Sequence, residues 1–159
     1  MVKLKKSSMS LDTTGEPVFT TRFAIALVLM AIGLAWLFYY YFGVHPKPHG
    51  YTGYTKSDYR GLPVLRDLRD WNYLIAFGLF FIGLLVSAHP KTPFGRGRLV
   101  APMMVACFVI GLAWICVYYV TSGASYWHDI WIFNDLNQKN LVVGIAWMAI
   151  GFAFATRWE

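Results

Sequence analysis

The chain is short of charge. Of its 159 residues 14% are Asp, Glu, Lys or Arg and 57% are hydrophobic, whereas a soluble domain carries about 25% charged and about 45–50% apolar residues. This balance excludes a disordered chain, which needs the opposite one, and argues against a soluble domain. The shortage is also localised, because no charged residue falls within 23–43, 71–88, 99–119 or 140–156. Ion pathways and proton relays leave ionisable side chains inside their spans, so a pump, an ion-coupled transporter or a small multidrug exporter is disfavoured.

Catalytic and cofactor signatures are missing as well. There is no Gly-rich phosphate loop, GxSxG elbow, HExxH or CxxC, and no nucleophile is paired with a base in the sequence. The histidines His45, His49, His89 and His128 lie at or beyond the ends of the apolar stretches, whereas a membrane haem needs axial histidines within its helices. The pair in HPKPH has no third metal ligand. Cys107 and Cys116 are nine positions apart, about 13 Å along a helix, beyond the roughly 7 Å a disulfide allows between Cα atoms. Apolar surroundings keep such thiols inert, which leaves them a packing role. No enzyme, cofactor or metal is expected. The net charge of +6 reads as membrane orientation and contact with anionic lipid rather than as nucleic-acid binding.

What is present is a pattern of four membrane helices: 23–43, 71–88, 99–119 and 140–156, of 21, 18, 21 and 17 residues. The last is at the short end of what crosses a bilayer. Around them lie a basic tail at 1–22 with Lys3, Lys5 and Lys6, a Gly-, Pro- and Tyr-rich loop at 44–70, a basic turn at 89–98 and an aromatic loop at 120–139. The tail has no apolar core of the signal-peptide kind. It serves either as a solvated segment that sets topology or as a contact for anionic lipid or a cytoplasmic partner. With the N-terminus inside, Lys and Arg number 8 on the cytoplasmic side and 6 outside. The turn with Lys91, Arg96 and Arg98 contains no acid and tips the reading to both termini cytoplasmic. Tyr39 to Tyr41, Tyr118, Tyr119, Trp127, Trp131 and Phe133 suit an interfacial aromatic belt.

The strongest signal is internal repetition. Ile32-Gly33-Leu34-Ala35-Trp36 recurs 78 positions on as Ile110-Gly111-Leu112-Ala113-Trp114. In the second helix of each half the offset is 68: Asp67-Leu68 matches Asp135-Leu136, Asn72 matches Asn140, and Ile82-Gly83 matches Ile150-Gly151. The expected fold is therefore an all-α membrane protein built as two tandem helical hairpins of the same sense, 23–88 and 99–159, joined by the turn. Gly83 and Ser87, like Gly151 and Ala155, have the four-residue spacing that lets helix backbones approach, although such residues are common in membrane helices anyway. Asn72 and Asn140 read as caps or interface hydrogen bonds rather than as ligands.

Val100-Ala101-Pro102, then Phe108 to Trp114 and Val117 to Thr121, resemble the first membrane helix of the actinobacterial cell division protein family CrgA. Asn140 to Gly144, Gly151-Phe152 and Thr156-Arg157-Trp158 resemble its second helix and C-terminus. The first half shows a fainter likeness through Ile32 to Trp36, Asp70 to Tyr73 and Ile75 to Phe77, and Val2 to Lys6 echoes the family's basic tail. That family typically has two membrane helices, so this chain looks like a duplicated, fused form. The resemblance implies a non-enzymatic division adaptor at the septum, acting on assembly of the tubulin-like FtsZ ring and contacting septal synthesis proteins such as the transpeptidase FtsI. It leaves homo-oligomerisation open, since a fused pair can replace a dimer. Gly33, Trp36, Gly83, Gly111, Trp114 and Gly151 are the candidate residues for helix packing or partner contact. Lys3, Lys5, Lys6, Arg96 and Arg98 are the candidates for cytoplasmic contact. Two other readings compete: an accessory subunit of a larger, for instance respiratory, membrane complex, and a small transporter or membrane enzyme. The latter requires a functional polar residue inside a span.

Overall fold

The computed structural model describes residues 19–45, 59–123 and 131–156, all helices, turns and short connections with no strand among them. Lys3, Lys5 and Lys6, most of the basic tail, His49, Trp127 and His128 lie outside the described residues. The elements are α1 (Thr21–Tyr39), continued by a π-helical turn (Tyr40–Val44), then α2 (Pro63–Leu68) and α3 (Trp71–Ser87). After 3₁₀ turns at Pro93–Gly95 and Gly97–Leu99 come α4 (Val100–Thr121), α5 (Trp131–Leu136) and α6 (Lys139–Ala155). The four long helices stand where the apolar stretches predicted them.

Local chemistry sets several boundaries. The hydroxyl of Thr20 accepts from the Phe23 N–H at 3.3 Å and caps α1, supplying a partner that the first turn of a helix lacks. Pro63 opens α2, where its fixed φ suits the helix and its missing N–H costs nothing. This short helix was not expected. The loops read at 44–70 and 120–139 each end in one turn and a half of helix, α2 and α5, placed 68 residues apart like the rest of the second-helix repeat.

Thr21–Val44 and Gly97–Thr121, of 24 and 25 residues, are long and apolar enough to cross a membrane. Helices α3 and α6, of 17 residues each, are apolar but shorter, about 26 Å long at 1.5 Å per residue. Helix α1 packs along α3, α4 along α6, and α3 beside α6. Gly33 faces Ala76 and Phe80, while Gly83 faces Ala26 and Met30, so α1 and α3 run antiparallel. Trp147 of α6 packs on Phe80 and Phe81 of α3, and these two helices run in the same direction.

Two buried clusters result. One, at the α2 and α5 end, gathers Tyr40, Val44, Tyr73, Ile132, Leu136 and Val143. The other, at the end holding the α3–α4 turn, gathers Leu84, Ala88, Cys107, Ile150 and Phe154. The outward faces of α1 and α4 stay apolar and exposed, with Ile25, Val28, Val105, Val109, Leu112 and Val120 among them. In lipid such faces need no cover, and close packing and hydrogen bonds hold the helices together instead of water exclusion.

Candidate functional site

Trp36 and Trp114, singled out by the repeat, share one arrangement. The Trp36 Nε1–H points at Asn72 Oδ1, long at 3.4 Å, and the Trp114 Nε1–H donates to Asn140 Oδ1 at 3.2 Å. Each asparagine donates from Nδ2 to two carbonyls just upstream: Asn72 to Leu65 and Arg69, both at 2.7 Å, and Asn140 to Phe133 and Asn137, at 2.7 and 2.8 Å. Both amides are fully buried. Each thus ties three elements together: the outgoing long helix through the indole, the short helix, and the returning helix that carries it. The carbonyls become reachable because the chain reverses at Arg69 and Asn137, both at positive φ, 45° and 46°. Asparagine tolerates such a backbone far better than arginine does. Asn72 and Asn140 therefore make interface hydrogen bonds. The sequence marked them, and the tryptophans, as separate features.

The glycines mark helix crossings. A Cβ on Gly33 would stand 2.7 Å from the Ala76 carbonyl oxygen and 2.8 Å from the Phe80 nitrogen, and one on Gly111 would stand 2.7 Å from the Gly144 oxygen. A Cβ on Gly83 would meet the Ala26 oxygen at 2.7 Å, whereas one on Gly151 would meet only the Phe108 ring, at 3.2 Å. Gly144, which the repeat did not flag because Ala76 stands at the matching place, is equally tight against Ile115. All six predicted packing residues are thus engaged within the chain.

A buried polar cluster joins the two halves at the α2 and α5 end, and no sequence pattern marks it. The Tyr73 hydroxyl donates to Asp135 Oδ2 at 2.7 Å, and His45 Nε2 lies 3.6 Å from Asp135 Oδ1, with side chains 3% and 6% exposed. Tyr40 and Tyr59 set their rings edge-on to the imidazole. Burial, and then the negative charge of Asp70, push the Tyr59 hydroxyl up to about 12, so it stays neutral. Lys139 and Asp70 add a partly exposed cross-half ion pair at 3.7 Å, with Lys139 also over the Trp71 ring. His45 is therefore packed against a carboxylate. Among the described residues no group of three or more His, Cys, Asp or Glu could hold a metal, and both cysteines are free.

The turn at the other end is compact. The buried Thr92 hydroxyl donates to the Ser87 and His89 carbonyls, the latter at 2.7 Å, and accepts from Gly95 N–H. A Cβ on Gly95 would collide with the Ala88 and His89 carbonyls. Thr20 Oγ1 donates to the Lys91 carbonyl at 3.1 Å, and Phe23 packs edge-on to Phe94, which fastens the start of α1 to the turn. The two predicted contact arginines part company here. Arg98 is exposed, while Arg96 is 8% exposed and so presents little surface to a partner.

The family model for the cell division protein CrgA matches this chain twice, over residues 4–91 and 87–159. The cell division protein CrgA of Streptomyces avermitilis is 45% identical over 60 residues, covering 38% of this chain and 64% of that protein. The same-named protein of Corynebacterium glutamicum strain R is 32% identical over 82 residues, covering 52% of this chain and 72% of that one. The chain thus spans less than two thirds of the Streptomyces relative. No solved structure matches.

Proposed function

Because the chain belongs to the CrgA family of cell division proteins, we propose that it is a non-enzymatic membrane adaptor of the bacterial division machinery, made by fusing two copies of the family's hairpin. In this reading all four long helices cross the plasma membrane. The termini and the turn at 89–98 face the cytoplasm, and α2 and α5 lie at the outer interface. The shorter α3 and α6 then reach the interface with the help of the short helices that precede them.

The observation that carries the reading is the double family match, one copy per half, with the same glycine crossing and tryptophan–asparagine clasp in each. A scaffold whose repeated packing residues face inward leaves the outward faces of α1 and α4 for lateral contact. Exposed Val109, Leu112 and Val120 are candidates there. A septal transpeptidase of the FtsI kind fits a lateral membrane contact, and assembly of the FtsZ ring fits contact through the cytoplasmic tail, with Lys3, Lys5 and Lys6, and through Arg98. Both partners come from the resemblance. Anionic lipid is the further expected contact for these basic groups.

The test is a fluorescent fusion at the N-terminus in the native host, imaged with labelled FtsZ. Septal enrichment that disappears on FtsZ depletion is expected. A uniform membrane signal indifferent to FtsZ would overturn the division reading.

A further inference from the structure

The two short helices hold matching places in the repeat but expose different amounts of apolar surface. Val64 of α2 is 66% exposed, while Ile132, 68 positions on in α5, is 2% exposed. Leu136 of α5 is buried too, in the cluster that joins the two halves. Leu62, just before α2, and Trp71, just after it, are exposed like Val64, and Lys139 takes the place of Trp71 in the second half. At the position of Val64, α2 thus turns outward what α5 turns inward.

Three contacts fix the depth of this patch. The Arg60 N–H donates to the Val44 carbonyl at 3.0 Å. A Cβ on Gly61 would stand 3.1 Å from the Val44 side chain and 3.7 Å from the Tyr39 hydroxyl. Asn72, at the start of α3, reaches both the Leu65 carbonyl and the Trp36 indole. Helix α2 therefore lies beside the stretch from Trp36 to Val44, the last turns of the span, and not beyond them. That span, Thr21–Val44, has 24 residues. It is about 36 Å long at 1.5 Å per residue, against a hydrocarbon core about 30 Å thick. Its final turns coincide with the boundary between acyl chains and head groups. A backbone at that depth needs its polar groups bonded within the protein. Asn72 meets part of this need by donating to the Leu65 and Arg69 carbonyls, both at 2.7 Å, which so short a helix leaves without internal partners.

We propose that α2 is a lipid anchor, with Leu62, Val64 and Trp71 set into the acyl–head-group boundary of the outer leaflet. Helix α5 instead serves the contact between hairpins. The depth decides for lipid over a soluble extracytoplasmic protein, which reaches only the surface above the head groups. The patch also continues the exposed apolar side of α1, because Tyr39, itself exposed, sets its hydroxyl beside Gly61. Arg66 and Arg69 follow Val64 in the chain, and long cations at the edge of an apolar and aromatic patch extend to head groups.

This inference rests on the membrane reading of the bundle, and the test separates the two. The full chain, carrying Cys116→Ala and one of Val64→Cys, Leu62→Cys or Val109→Cys, is labelled with bimane and reconstituted in vesicles of phosphatidylcholine and phosphatidylglycerol. Cys107 stays in place because it is buried. Quenching is compared among lipids brominated near the head group, lipids brominated near the chain end, and iodide present on both sides of the bilayer. Val109, exposed at mid-length of α4, reports on the bilayer itself. At position 64 the shallow bromine is expected to quench about threefold more than the deep bromine or iodide, and at position 109 the deep bromine dominates. Circular dichroism matching wild type identifies a labelled variant as folded, and position 62 is a second site on the patch, with the same result expected. Dominant quenching by iodide at position 64, with position 109 quenched by bromine, overturns the anchor and gives the patch to water or a soluble partner. Dominant quenching by the deep bromine overturns the placement at the boundary. Quenching by none of the three would mean that protein covers the patch, and overturns the anchor equally. A label at position 109 untouched by bromine would overturn the membrane reading itself, and the anchor with it.

Discussion

The first and second halves of the molecule agree closely in how each pairs its own helices and differ where they meet. Both cross at glycine and both clasp an indole to a buried asparagine. Yet Asp135 is buried against Tyr73 and His45, while its counterpart Asp67 is exposed, and the place matching Tyr73 is held by Leu141. Helix α1 ends in a π-helical turn from which Tyr40, Tyr41 and Val44 join the buried cluster, while α4 runs on as α-helix to Thr121. Two identical hairpins related by a two-fold axis must bury both carboxylates or neither. Fusion removes that constraint, so one copy supplies the acid and the other its phenol and imidazole. What the halves share serves the hairpin, and what they do not share serves the contact between hairpins.

Substitutions can break this comparison in order of expected size. Gly33→Leu and Gly111→Leu push a side chain into backbone 2.7 Å away, and each is expected to cost about 3 kcal/mol or more, at the upper end for overpacking. Thermal unfolding in detergent should show a comparable loss for both, and a large loss in one half alone would mean that the crossings are not equivalent. Next come the aspartates. Asp135→Ala strands the buried Tyr73 hydroxyl and should cost about 2 kcal/mol, against about 0.5 kcal/mol or less for exposed Asp67→Ala. Equal effects in chemical unfolding would refute the asymmetry described above.

Asn72→Ala and Asn140→Ala each leave two carbonyls and an indole without their partner. About 1.5 kcal/mol apiece is expected, nearly additive because the sites lie in different helix pairs, and the combined variant measures that additivity. The smallest difference is between Gly83→Ala and Gly151→Ala. The first meets a backbone oxygen at 2.7 Å and the second only a ring at 3.2 Å, so the first should be worse by about 1 kcal/mol. A Tm shift equal in the two variants would show that α1 gives way as readily as the Phe108 ring does.

Much of this was legible in the residues. Runs free of charge located the four long helices, because an uninterrupted apolar run admits few other conformations. The repeat of IGLAW located the crossings, because only a missing Cβ lets two backbones come that near. Helices α2 and α5 escaped notice since six residues are too few to show a period, and their stability comes from the asparagine that reaches back to them. Gly144 was missed because its counterpart is Ala76. The cluster of His45, Tyr73 and Asp135 was missed because its members are 28 and 62 positions apart and each alone passes for an interfacial polar residue.

The sequence by itself determined the helices, their duplication and the family, since these depend on local composition and on repeated short patterns. Only the tertiary structure decided which of two equivalent aspartates is buried and which of two matching short helices keeps an exposed apolar side. Those outcomes depend on how the two hairpins lie against each other, and α3 and α6 meet through side chains that no single segment specifies.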